Sequence, residues 1–146
     1  FGLNFIAQGG DAAQLQPAYE AAAIDAGHAP GMAMIPSLDA PLSVFVNDDL
    51  DVGWSDVGEA LLADAVPYYD WNVEAGSAEM TASLSSARTV DELSAQNGSN
   101  SLVTIAEARL IMATHGTLAL QPLCGGLDPA LAWPYLRRVT SDVLGF

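Results

Sequence analysis

The residues best placed for chemistry are Cys124-Gly125-Gly126, which follow the apolar run Leu118-Ala-Leu-Gln-Pro-Leu123 and precede Asp128-Pro129. The run reads as a short buried strand. Asp128-Pro129 reads as an N-cap followed by proline at the first helical position. Glycines between a strand and a helix let backbone N–H groups approach a ligand closely, and the helix start adds partial positive charge. Such a turn can line a cofactor or substrate pocket; the same two glycines also suit a tight strand-to-helix turn with no ligand. Gln8-Gly9-Gly10, after the apolar run Leu3–Ala7, repeats the pattern with the same two readings. It lacks the spacing of a dinucleotide-binding fingerprint.

Other constellations fail on spacing or number. Cys124 is the single cysteine, so no internal disulfide can form, which fits a reducing compartment. A catalytic thiol needs a base, and the histidines are His28, in a Gly/Pro-rich turn, and His115, near a helix end where a cation is favourable. Cys124 therefore reads as a small packed residue. These three side chains do not make a transition-metal set. Asn47, Asp49 and Asp51 begin like a calcium loop, but Val52 stands where the sixth-position glycine belongs and Gly58 where the twelfth-position glutamate belongs. They read as helix-start residues, with Asn47 and Asp48 close to a strand end. No nucleophile–base–acid set and no acid/base carboxylate pair emerges, so no catalytic residue is assigned. Tyr68-Tyr-Asp-Trp71 is a candidate to shape a pocket or a dimer contact.

The elements that must position these residues follow from pattern. Leu3–Gln8 reads as a buried strand. Asp11 then caps an Ala-rich helix that stops at Gly27, and Pro17 either kinks it or lies in a first turn starting near Gln16. Pro41–Val46 is the next strand, rich in β-branched and aromatic residues. Asn47–Asp51 opens a long helix carrying Trp54, Val57, Leu61, Ala65 and Tyr68, which Pro67 should kink or end. Residues 72–88 read as a long loop. Thr89-Val-Asp-Glu92 and Thr104-Ile-Ala-Glu107 are capping boxes of two helices, stopped by Asn97-Gly98 and Gly116. Leu118–Leu123 is the last strand, and the final helix aligns Leu131, Tyr135, Leu136, Val139 and Val143. This alternation implies a parallel sheet or barrel with helices outside.

At 146 residues the chain is expected to form one α/β domain, and its 51% hydrophobic content excludes disorder. No apolar run approaches a membrane span and no secretory leader is visible, so a soluble, cytoplasmic protein is expected. Net charge is -14, set by only four bases, all arginine, against eighteen acids. Such a surface repels phosphate backbones and anionic lipid, so nucleic acid and membranes are poor partners.

The ordered stretches Phe1-Gly-Leu-Asn-Phe-Ile-Ala-Gln-Gly-Gly, Gly27-His-Ala-Pro-Gly, Ser43-Val-Phe-Val-Asn-Asp-Asp-Leu-Asp, Thr89-Val-Asp-Glu-Leu, Val103-Thr-Ile-Ala-Glu-Ala and Pro122-Leu-Cys-Gly-Gly-Leu-Asp-Pro-Ala-Leu-Ala-Trp-Pro-Tyr-Leu cover nearly the whole chain. Together they resemble the C-terminal half of the luciferase-like oxidoreductases and monooxygenases, which use FMN or the deazaflavin F420. The resemblance implies a partial (β/α)8 barrel of about strands six to eight with their helices. It implies hydride transfer or oxygen activation at the carboxyl ends of the strands, on a small-molecule substrate. It also implies that Gln8, Gly9, Cys124, Gly125 and Gly126 line the second half of the pocket. Such a barrel needs roughly 250 residues. The chain is thus expected to be inactive alone and to pair with a missing N-terminal half or with itself. The alternative expectation is a non-catalytic half-barrel that self-associates through its open edge and holds a small apolar ligand.

Overall fold

The computed structural model describes residues 3–7, 11–37, 39–76 and 84–145. The chain divides into two compact units, Phe1–Ala40 and Pro41–Phe146.

The first unit pairs β1 (Phe5–Ile6) in parallel with β2 (Ala33–Met34) across helix α1 (Ala12–Asp25). Asp11 starts α1 by accepting from the Ala13 N–H at 2.9 Å. The helix runs through Pro17 without ending. Proline withholds the N–H that the Ala13 carbonyl would use, but Ala13 is exposed, so water can serve that carbonyl. Polar side chains tie the strand ends. Asn4 Oδ1 accepts from the Met32 N–H at 2.7 Å. The Tyr19 hydroxyl donates to the Leu3 carbonyl and accepts from the Gly31 N–H. Ala23 is the one buried apolar residue of the described part of this unit, so hydrogen bonds hold it more than a core does.

The second unit carries the main core. Strand β3 (Ser43–Val46) pairs in parallel with β4 (Asn100–Val103), with Ser43 opposite Asn100 and Val46 opposite Val103. Between them lie α2 (Leu50–Glu74) and α3 (Val90–Gln96); after them come α4 (Ile105–His115), a short 3-10 turn at Cys124–Gly126, and α5 (Pro129–Arg138), which ends in a π-helical turn at Val139–Val143. Strand alternation sends side chains to both faces. Phe45 and Leu102 meet Val57, Leu61 and Ala65 of α2, together with Leu93 and Tyr135. Val44, Val46 and Val103 meet Ala108, Val139 and Val143 on the opposite face. Helix α2 is started by Asp49, which accepts from the Val52 N–H at 3.1 Å. It passes Pro67 unbroken for the same reason as α1, because Ala63, four residues back, is exposed. The Thr104–Glu107 capping box forms as expected, and Gly116 caps α4 at φ 72°.

The expected partial (β/α)8 barrel is not what the chain forms. Among the described residues the strands make two two-stranded parallel sheets rather than one curved sheet. Leu118–Leu123 is not a strand; among the described residues it shares one backbone bond with β3, from the Val44 N–H to the Ala119 carbonyl at 3.0 Å. Pro122 has no N–H for a ladder there. Conversely, Asn100-Ser-Leu-Val103 is a strand in a stretch where sequence periodicity suggests only helix ends. Its polar half hides the signal, because Asn100 and Ser101 are buried all the same. Of the loop expected over residues 72–88, residues 72–74 belong to α2, 84–88 are irregular, and 77–83 lie outside the described residues. Among the described residues no helix is long and apolar enough to cross a membrane.

Candidate functional site

The β3–β4 pair has two polar ends, and the Cys124 turn occupies the one where the strands start. As the chain runs from Ala119 toward Cys124, its contacts step back from Val44 on β3 to Leu42 just ahead of it, whose carbonyl accepts from Gln121 Nε2 at 3.2 Å. Ser43 and Asn100 head the two strands and are buried. Asn100 Nδ2 donates to Asp64 Oδ2 at 3.4 Å. Ser43 Oγ finds no hydrogen-bond partner of good geometry and faces the Cys124 sulfur. Gly125 lies hard against α2: a Cβ there would sit 1.9 Å from the Ala60 carbonyl oxygen. The structure therefore brings Cys124, Gly125 and Gly126 together as a packed turn against a helix. Gln8 and Gly9 lie outside the described residues.

Burial, reinforced by the nearby Asp64 charge, pushes the Cys124 thiol from 9.0 up to about 11, although the Ser43 hydroxyl opposes the shift. The thiolate is the nucleophile, so this group is poorly suited to attack a substrate. Alkylation of native protein at neutral pH should be about a hundredfold slower than that of urea-unfolded protein. Equal rates in the two states would show that the thiol is not held neutral. The raised value favours the protonated form in the folded state. Stability from this group is thus present in full below 9.0 and is lost as pH rises through about 11.

The other end gathers polar side chains around the residues that follow β3. Asn47 is buried; its Oδ1 accepts from the Asp49 N–H at 3.1 Å and its Nδ2 donates to the Tyr135 hydroxyl at 3.4 Å. That hydroxyl donates to Asp56 Oδ2 at 3.0 Å. Arg138 Nη1 donates to the Val46 carbonyl at 2.9 Å, and its guanidinium lies 5.5 Å from the Tyr135 ring centroid. Burial is the main cause that raises the Tyr135 phenol above its ordinary value, so it stays neutral and works as a hydrogen-bonding group. Asn47, Asp48 and Tyr135 are legible in the sequence as a strand end and a helix stripe. Asp56 and Arg138 have no local signal, because they reach this place from different helices.

Anion binding at this edge meets competition from the chain's own carboxylates. Asp49 caps α2, while Asp48 Oδ1 accepts from the Ile105 N–H at 2.9 Å and Glu107 closes the box at the start of α4. The Thr104 N–H and hydroxyl hold the Glu107 carboxyl below its ordinary value. A cofactor phosphate would find these helix starts taken. Beside β3 and α5 lies a small apolar cavity of about 10 Å³, lined by Val44, Val46, Leu120, Tyr135 and Val139 among others. That is room for about one water molecule. This cavity does not hold a flavin or deazaflavin ring, and among the described residues no cluster of His, Cys, Asp and Glu could hold a metal ion. No known protein family, no curated protein and no solved structure matches this chain.

Proposed function

We propose that the chain is the C-terminal portion of a flavin- or F420-dependent oxidoreductase of the luciferase-like kind, active in the cytoplasm in hydride transfer or monooxygenation, and inactive by itself. The observation that carries this reading is the ordered set of motifs from Phe1-Gly-Leu-Asn-Phe to the Cys124–Leu136 stretch. Parallel strands support it, since open α/β sheets bind ligands at the carboxyl ends of their strands. In this reading Asn47, Tyr135, Asp56 and Arg138 form a polar wall facing the substrate side. Tyr135 is a positioning residue, fixed between Asn47 and Asp56. The redox chemistry belongs to the cofactor, and the rest of the parent protein holds it.

The test is a titration with FMN and F420 followed by cofactor fluorescence. It uses this chain and, separately, the polypeptide read in frame through the sequence ahead of Phe1. The chain should bind weakly or not at all, and the longer polypeptide should bind one cofactor. Tight one-to-one binding by a monomer of this chain, or a start codon immediately before Phe1, would sink the proposal.

A further inference from the structure

Among the described residues β3 and β4 form a two-stranded parallel sheet with two outer edges, and unpaired edge groups invite strands from other molecules. In this chain side chains occupy such positions on both edges. On β4, Asn97 acts as a stand-in for a neighbouring strand: its Oδ1 accepts from the Leu102 N–H at 3.0 Å and its Nδ2 donates to the Leu102 carbonyl at 3.1 Å. Asn97 reaches this position because it caps α3 in the left-handed conformation, with φ 39°. On β3, Arg138 Nη1 takes the Val46 carbonyl and the Val44 N–H is bonded to the Ala119 carbonyl, while just ahead of the strand Gln121 Nε2 takes the Leu42 carbonyl.

We infer that Asn97 and Arg138 are edge guards that keep the β3–β4 pair from accepting a strand from a second copy of the chain. The inference is independent of the proposed redox role. Two features make the arrangement specific. The Asn97 amide satisfies a donor and an acceptor of one residue at once, as a paired strand would. The Arg138 guanidinium is long, always charged and half-buried over Tyr135, so a strand arriving at Val46 would have to displace a charge. An open-edge dimer would therefore have to break bonds already made within the chain.

Two substitutions remove the guards. Asn97→Gly keeps the left-handed cap and removes the amide; Arg138→Met keeps the apolar stem and removes the donors. Sedimentation velocity at rising micromolar concentration should show wild-type monomer throughout. The double variant should shift toward dimer or larger species. A double variant that melts like wild type yet stays monomeric would overturn the inference. If the double variant does not fold, amide exchange of the wild type decides. Equal protection of the Leu102 N–H at low and high concentration is expected, and protection that rises with concentration would mean that the edge is open and the inference wrong.

Discussion

Gly125→Ala is expected to destabilise the chain by roughly 2–5 kcal/mol, measured by urea unfolding. The left-handed backbone costs a side chain about 1–2 kcal/mol, and overpacking typically adds about 1–3 kcal/mol. Gly125 holds φ at +56°, and its missing Cβ leaves room for the Ala60 carbonyl group, whose oxygen, carbon and Cα would lie 1.9, 2.7 and 2.9 Å from an added methyl. These are backbone atoms of α2, which cannot swing aside as a side chain would. Gly126 is the internal control. It also has positive φ, at +77°, but nothing lies within 4 Å of the added carbon. Gly126→Ala should cost only the backbone share, about 1–2 kcal/mol. Equal losses at the two positions would mean that contact with Ala60 is not what fixes Gly125, and would return this glycine to the ligand-lining reading.

Leu102→Ala is expected to cost about 2–5 kcal/mol, the range for truncating a fully buried leucine. Leu102 is wholly inaccessible and packs in the same cluster as Phe45, Val57 and Leu61. Its side chain also decides the effect of a change at Gly53 in α2, where an added Cβ would meet Leu102 Cδ2 at 2.5 Å. Alanine in a helix interior gains about 1 kcal/mol over glycine. With Leu102 present, that gain is offset by overpacking, and Gly53→Ala should be neutral or destabilising. In the Leu102→Ala background the same change should stabilise by up to about 1 kcal/mol. The coupling between the two sites should fall in the range of about 0.5–3 kcal/mol seen for residues in contact. Additive effects in urea unfolding of the four proteins would show that the helix does not rest on Leu102.

Local signals in this sequence were legible wherever the interaction that creates them is local. Asp11, Asp49, Thr89, Thr104 and Asp128 each accept from a backbone N–H two or three residues ahead, so the helix starts could be read directly from residue type. The left-handed caps at Asn97 and Gly116 are of the same kind. Pro17 and Pro67 do not end their helices, because proline removes one hydrogen bond locally and solvent at Ala13 and Ala63 makes that loss tolerable. Leu118–Leu123 has strand composition, yet the strand needs a ladder partner that composition does not supply.

Helix starts and acidity are thus determined by the sequence itself, since capping and charge depend only on neighbours along the chain. Tertiary structure alone decided that Asn100–Val103, half polar, is the partner of Ser43–Val46. It also placed Cys124-Gly125-Gly126 against Ala60 at the start of the strands, and carried Asp56, Tyr135 and Arg138 to the opposite end beside Asn47 and Val46. Those outcomes depend on contacts between residues far apart in the chain, such as Asn47 with Tyr135 and Val46 with Arg138. The free energy of such contacts comes from burial and pairing that exist only once the chain has folded.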